Sequence, residues 1–110
     1  MPNKYNYKLT PLAEEDIDSA LTYISEQLFN GKAAGDLLTK IENTIGRICD
    51  FPYSFADCSY FLITDENIRH AVIDNYVLVY EVIDEEKQIN VLRFRYAKMN
   101  LMKMIVKDKY

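Results

Sequence analysis

Two runs of apolar residues at helical spacing, set end to end with a two-residue joint, constrain this chain more than any other feature. Ala13, Ile17, Ala20, Leu21, Ile24 and Leu28 recur at three- and four-residue steps, and Ala34, Leu37, Leu38, Ile41, Ile45 and Ile48 do the same. Residues so spaced fall on one side of a helix. The first run has a marked beginning. Thr10 caps, Pro11 fits the first helical position where no N–H is needed, and Glu14, Glu15 and Asp16 put negative charge near the positive end of the helix dipole. Asn30-Gly31 reads as its left-handed stop. The second helix runs from about Lys32 to Asp50, and Phe51-Pro52 ends it. Helices joined by so short a turn fold back on each other. Their apolar face is wider than one partner helix covers, so the hairpin needs a sheet to lie on.

That sheet is encoded on both sides of the hairpin. Before it, Tyr5-Asn6-Tyr7-Lys8-Leu9 alternates large and polar side chains, as a short strand with one buried face does. After it come Ile68 to Ile73, Tyr76 to Ile83 and Gln88 to Tyr96, separated by Asp74-Asn75 and Asp84-Glu85-Glu86-Lys87, which reads as an antiparallel meander. The middle run is almost continuously apolar, as in a central strand covered on both faces. Strict alternation in the last run puts Ile89, Val91, Arg93 and Arg95 on one face and Leu92, Phe94 and Tyr96 on the other. Residues 53–66 have no clear period; Phe61-Leu62-Ile63 reads as a short strand or a packed loop. Asn100 to Lys109 reads as a terminal helix, apolar at Leu101, Met104 and Ile105 and basic at Lys103 and Lys107. The expectation is an α+β domain in the order β-α-α-β-β-β, a two-helix hairpin on a mainly antiparallel sheet, closed by a short C-terminal helix. With 110 residues, 49% of them apolar, the whole chain makes one domain with one modest core.

The net charge of −4 hides a strong asymmetry. Residues 1–86 hold 6 basic and 16 acidic side chains, a net of −10, whereas residues 87–110 hold 7 basic and 1 acidic, a net of +6. An acidic body with a basic end points the end toward something anionic. The alternative is that terminal lysines merely keep an exposed helix soluble. The start of the chain lacks the apolar run of a signal peptide, and nothing approaches the roughly 18 uncharged apolar residues of a membrane span, so a cytoplasmic protein without a membrane partner is expected. Cys49, Cys58 and the single His70 are spaced unlike any metal-ligand set. Both thiols read as ordinary reduced side chains, and no metal, cofactor or small-molecule substrate is expected.

Three stretches resemble the RelE/ParE toxins. Thr10-Pro11-Leu12-Ala13-Glu14-Glu15-Asp16-Ile17, following the strand at Tyr7, is similar to that family's T-x-x-A-x-x-D-[LI] opening. Asn30-Gly31-Lys32-Ala33-Ala34, leading to Ile48-Cys49-Asp50-Phe51-Pro52, is similar to its alanine-rich second helix closed by F-P. Ile68-Arg69-His70-Ala71-Val72-Ile73-Asp74-Asn75-Tyr76-Val77-Leu78-Val79-Tyr80-Glu81-Val82 is similar to its R-x-[LA]-x-[VI]-x-x-Y-x-[IVL]-x-Y-x-V signature. Each stretch alone is weak; in order and at the right spacing they are strong, and the resemblance covers essentially the whole chain. It implies a toxin held inactive by a cognate antitoxin, usually encoded beside it. RelE-like members cut messenger RNA in the ribosome, and ParE-like members on the same fold inhibit DNA gyrase.

The residues bear on which activity this chain has. Metal-free RNA cleavage needs a base for the ribose 2′-OH, cations on the phosphate and an acid for the leaving oxygen. RelE-like ribonucleases resemble one another in an Arg just after the first Tyr of the central strand and in basic residues near the chain end. Here those positions hold Val77 and Met99. Arg69, Arg95, Tyr96 and Lys98 remain as a catalytic set if the chain is a ribonuclease. Tyr96 needs the nearby cations to lower its pKa from about 10 before it can act as a base. Arg69 reads equally as a strand-edge charge paired with a carboxylate, and Tyr96 as a half-buried core ring. The acidic body argues against a dense phosphate environment. The favoured expectation is therefore a gyrase inhibitor rather than an enzyme, with Arg93, Arg95, Tyr96, Lys98, Lys103 and Lys107 meeting the target. The alternatives are a ribosome-dependent mRNA endoribonuclease and, last, a non-toxic interaction domain.

Overall fold

Thr10 starts the first helix as its position predicts, and it does a second job as well. Its Oγ1 accepts a hydrogen bond from the Ala13 N–H at 3.1 Å, and the same hydroxyl donates to the Leu92 carbonyl at 3.0 Å, tying the helix start to the last strand. The computed structural model describes residues 4–58 and 65–97. In order these form β1 (Asn6–Leu9), α1 (Pro11–Thr22), a π-helical turn (Tyr23–Gln27), α2 (Gly31–Asp50), β2 (Ala56–Asp57), β3 (Ile68–Ile73), β4 (Tyr76–Ile83), a single 3₁₀ turn (Asp84–Glu86) and β5 (Gln88–Tyr96). The terminal helix expected over Asn100 to Lys109 lies outside the described residues.

The joint between the helices differs from its sequence reading. Asn30-Gly31 belongs to the start of α2: Asn30 caps it by accepting from the Ala33 N–H at 3.0 Å, and Gly31 is its first residue. The left-handed residue is Phe29, at φ 51°. The turn of π-helix shifts the stop by one residue, through bonds from Leu28 N–H to the Tyr23 carbonyl and from Asn30 N–H to the Ile24 carbonyl, both 3.1 Å. Asn and Gly suit a left-handed position, but Asn suits a helix cap as well, and the cap won.

The five strands form one sheet in the order β1-β5-β4-β3-β2. β3, β4 and β5 are the antiparallel meander, β2 adds a short antiparallel edge from within the segment that had no readable period, and β1 pairs parallel to β5. The helical hairpin lies on one face. Ala13, Ile17, Leu37, Ile41, Ile45 and Ile48 interlock there with Leu78, Tyr80, Val82, Ile89, Val91 and Phe94. On the other face Cys58, Ile68, Val77 and Val79 form a smaller cluster against Leu92. β4 is thus covered on both sides, as its apolar run requires.

β5 does not alternate strictly. Tyr80 pairs with Val91 and Val79 with Arg93, which leaves Leu92 without a partner in a β-bulge. Ile89 and Val91 face the helices, and past the bulge Phe94 takes over that face, paired with Leu78. Arg93 and Arg95 therefore leave the face of Ile89 and Val91 and join that of Val77 and Val79. They still share a face with each other, as expected, but it is the opposite one.

Candidate target-binding face

The end of β5 gathers most of the described residues expected to meet a target. β1 pairs with β5 only as far as Val91, so beyond it the edge of β5 lies open. Asp16 of α1 fills that place. Its carboxylate accepts from the Phe94 backbone N–H at 3.1 Å, from Arg93 Nε at 2.7 Å and from Arg93 Nη2 at 3.1 Å. Arg95 Nη1 stands 3.7 Å from the same carboxylate. The Arg93 side chain is only 9% exposed, so its role is to lock α1 to the sheet edge. Arg95, at 26%, reaches further into solvent.

Tyr96 pairs with Tyr76 across the strands and stands edge-on to its ring at 5.7 Å, while Tyr76 stacks on Phe94 at 4.9 Å. Tyr96 is 39% exposed, so it is not a core ring, and it borders two adjoining hollows. One, of about 350 Å³, also takes in Glu15, Ser19, Tyr23 and Arg95. The other, of about 690 Å³, runs between the π-helical turn and the β3–β4 turn over Ile24, Leu28, Leu37 and Tyr76. Burial pushes the Tyr76 hydroxyl pKa up, so that ring is a neutral wall. No local pattern signals this groove, because it joins residues from the π-helical turn, α2, the β3–β4 turn, β4 and β5. Lys98, Lys103 and Lys107 lie outside the described residues, as does Met99.

Arg69 is elsewhere. It pairs with Tyr80 on β4, three residues along from the Val77 that faces Arg95, and on the opposite face of the sheet. Backbone carbonyls hold it, where a carboxylate was expected: Nε donates to Glu66 at 3.0 Å, and Nη1 donates to Phe55 at 2.9 Å and to Tyr53 at 3.3 Å. Its guanidinium also lies 4.8 Å over the Tyr53 ring. Arg69 thus pins the loop after α2 to the start of β3, and the structure does not bring it together with Arg95 and Tyr96. Val77, where an Arg is expected of the ribonucleases, is buried in the smaller cluster.

Two further clusters escaped the sequence reading. The Tyr5 and Tyr53 hydroxyls both donate to Asp84, each at 2.7 Å, joining segments 79 and 31 residues apart. Those bonds lower the Asp84 pKa, and burial together with the same carboxylate raises that of Tyr53. Cys58 Sγ lies 3.7 Å from His70 Nδ1. Burial raises the thiol to about 11 and lowers the imidazole, so at neutral pH this is a thiol beside a neutral ring, without a thiolate nucleophile. Cys49 is buried apart from it, in the main core.

Comparison with known proteins agrees with this architecture. Two solved structures share the fold. A chain described as the chromosomal ParDE TA system from P. aeruginosa superposes with a TM-score of 0.68 at 15% identity, covering 87% of this chain and 99% of that one. A chain of the toxin–antitoxin complex RelBE2 from Mycobacterium tuberculosis gives 0.57 at 18% identity, covering 84% and 98%. No curated protein matches the sequence. The family model described as the ParE toxin of type II toxin–antitoxin system, parDE, matches residues 7–101. A match over so much of the chain, spanning the strand, hairpin and meander described above, establishes that the chain belongs to the ParE toxin family.

Proposed function

We propose that the protein is a toxin that inhibits DNA gyrase by binding it and that a cognate antitoxin holds it inactive. The observation that carries the gyrase reading is the state of two residues on which RNA cleavage would call: Val77, where the ribonucleases place an Arg, and Arg69, one of the catalytic set that remained. Val77 is sealed among Cys58, Ile68 and Val79, and Arg69 is engaged by carbonyls of its own chain. A cleaving site needs cations aimed at a developing phosphate charge; an inhibitor that works by contact needs only a complementary surface. We assign that surface to Arg95 and Tyr96 at the end of β5, where Arg93 is held by Asp16, together with Lys98, Lys103 and Lys107, which follow in the sequence. The antitoxin partner is supported by family membership and by the fold shared with chains taken from toxin–antitoxin complexes.

Purified protein added to gyrase tests the reading directly. Supercoiling is expected to fall with added toxin, and expression in a bacterial host is expected to arrest growth with DNA damage. A short neighbouring reading frame is expected to rescue that growth. Intact supercoiling at saturating toxin, together with cleaved messenger RNA on translating ribosomes, would falsify the proposal in favour of a ribonuclease.

A further inference from the structure

β1 lies at the edge of the sheet, with β5 on one side and, among the described residues, no strand on the other. Asn6 and Thr10 donate inward, to the Lys87 carbonyl at 2.9 Å and the Val91 carbonyl at 3.0 Å. Alternate residues of a strand turn their backbone amides to opposite sides, so those of Tyr5, Tyr7 and Leu9 point outward. The Tyr5 N–H is taken by the Cys49 carbonyl at 3.0 Å, where the end of α2 comes down beside the strand. Tyr7 and Leu9 follow along the same open side. Between α2 and this stretch of β1 lies a hollow of about 450 Å³, lined by Tyr5 and Tyr7 and by Ile45, Gly46 and Cys49. Gly46 stands inside the 20-residue α2, where glycine is less favourable than alanine. A methyl at this position would touch nothing within 4 Å, so close packing does not demand the glycine; its effect is to keep the hollow open. Open backbone groups flanked by a side-chain pocket are what an extended peptide needs to join a sheet: backbone bonds hold it, and the pocket takes an alternate side chain.

The two faces of β1 decide what joins it. Tyr5 and Leu9 pack toward the main core, so Tyr7 shares the helix side with them and Asn6 and Lys8 lie on the other face. On the helix side, Lys4 stands 4.0 Å from Asp50, and the hollow offers Ile45 and Cys49 to an apolar side chain. On the other face Lys8 is exposed, and its neighbours there, Asn6 and the paired Gln88 and Asn90, are uncharged. A second copy of the chain would bring two Lys8 side chains onto one face, whereas a carboxylate beside Lys8 is attracted. We infer that the open edge of β1 takes an extended acidic segment of another polypeptide as an added strand, with an apolar side chain in the hollow against α2 and an acidic one beside Lys8. This contact lies apart from the end of β5 and does not depend on the gyrase reading.

The test uses the full chain and a panel of short synthetic peptides with Glu at alternate positions and Val, Leu or Phe between them, beside the same panel with Lys for Glu. A Glu peptide is expected to bind, to slow hydrogen exchange at the Tyr7 and Leu9 amides, and to bind at least about tenfold more tightly than its Lys counterpart. Lys8→Glu should reverse that preference. Gly46→Leu fills the hollow without a clash and should weaken binding at least about tenfold while the melting temperature holds or rises. Tyr7→Pro removes one outward N–H at an edge position that tolerates proline, and should abolish binding in a folded protein; if it does not fold, the Lys8 and Gly46 variants carry the test. No slowing of exchange at Tyr7 and Leu9 by any peptide overturns the inference. An unchanged preference in Lys8→Glu overturns the acidic partner, and full binding by Gly46→Leu overturns the seat in the hollow. If the parent self-associates in sedimentation and Tyr7→Pro is a folded monomer, the edge pairs with a second copy and the inference fails.

Discussion

One carboxylate holds the corner where α1 meets the end of β5. Asp16 is 10% exposed and accepts from Nε and Nη2 of the Arg93 fork and from the Phe94 N–H. Asp16→Ala leaves a buried guanidinium and a strand N–H without that acceptor. A loss of about 3 kcal/mol is expected, seen as a lower urea midpoint at unchanged slope. Asp16→Asn keeps an acceptor for the N–H and should lose less. Asp84 makes the opposite case, an exposed carboxylate whose effect is read through pH. Its pKa is lowered in the fold by the hydroxyls of Tyr53 and Tyr5. It therefore adds stability above the unfolded carboxylate value of about 4, and that stability is lost as pH falls through the lower folded value. The gap in melting temperature between the parent and Asp84→Asn should be full at pH 6 and close below pH 4; a gap constant with pH would mean the carboxylate charge is not what Tyr5 and Tyr53 recognise. Neither the role of Asp16 nor that of Arg69 is legible in the sequence. Asp16 reads as helix-dipole charge because its partner is 77 residues away, and Arg69 could not be assigned to carbonyls of a loop whose sequence has no period.

Among the elements, boundaries marked by one unambiguous local signal are readable, the Asn30-Gly31 joint, where a cap and a stop compete, is not, and neither are features set by tertiary register. The cap at Thr10, the Phe51 end of α2 and the meander turns rest on a few adjacent residues, and they form where expected. The bulge at Leu92 follows from which residues fit under α1, so an odd-numbered apolar series running into Arg93 looked unbroken. Its trace is the change of apolar phase from Ile89 and Val91 to Phe94, a signal that weighs little against continuous alternation. Thr10 links both kinds of feature. Thr10→Ala removes the helix cap and the bond that holds the bulged Leu92 carbonyl, so it should lower stability by about 1–2 kcal/mol in thermal or urea unfolding. Thr10→Ser should recover most of that loss, since serine retains the hydroxyl; a serine variant as weak as alanine would show that the methyl's packing, not the two bonds, fixes this joint.

At the scale of the whole molecule, core and charge are distributed differently along the chain. Among the described residues, the buried members of both core clusters run from Ala13 to Phe94, and the family match extends to residue 101. The fold class was legible because a helical hairpin and a meander have few ways to bury their apolar faces together, whereas the parallel seat of β1 beside β5 is set by the hairpin carrying the chain across the sheet. The charge is divided near the start of β5: +6 on residues 87–110 against −10 on the remainder, although Ile89, Val91 and Phe94 of the basic segment belong to the core. If the basic end is a working surface, its removal and the loss of Arg95 should affect function far more than folding. Truncation before Asn100 and Arg95→Ala are each expected to relieve growth arrest while the melting temperature stays within a few degrees of the parent. Arg69→Ala should do the reverse, loosening the loop at Tyr53 and Phe55 and lowering the melting temperature, with potency per folded molecule intact. Measuring both quantities on all three variants distinguishes the two ends of the sheet. If Arg69→Ala relieves arrest without destabilisation and the other two do not, the contact surface lies by the Arg69–Tyr53 pair, and the concentration of positive charge at the end of the chain serves solubility alone.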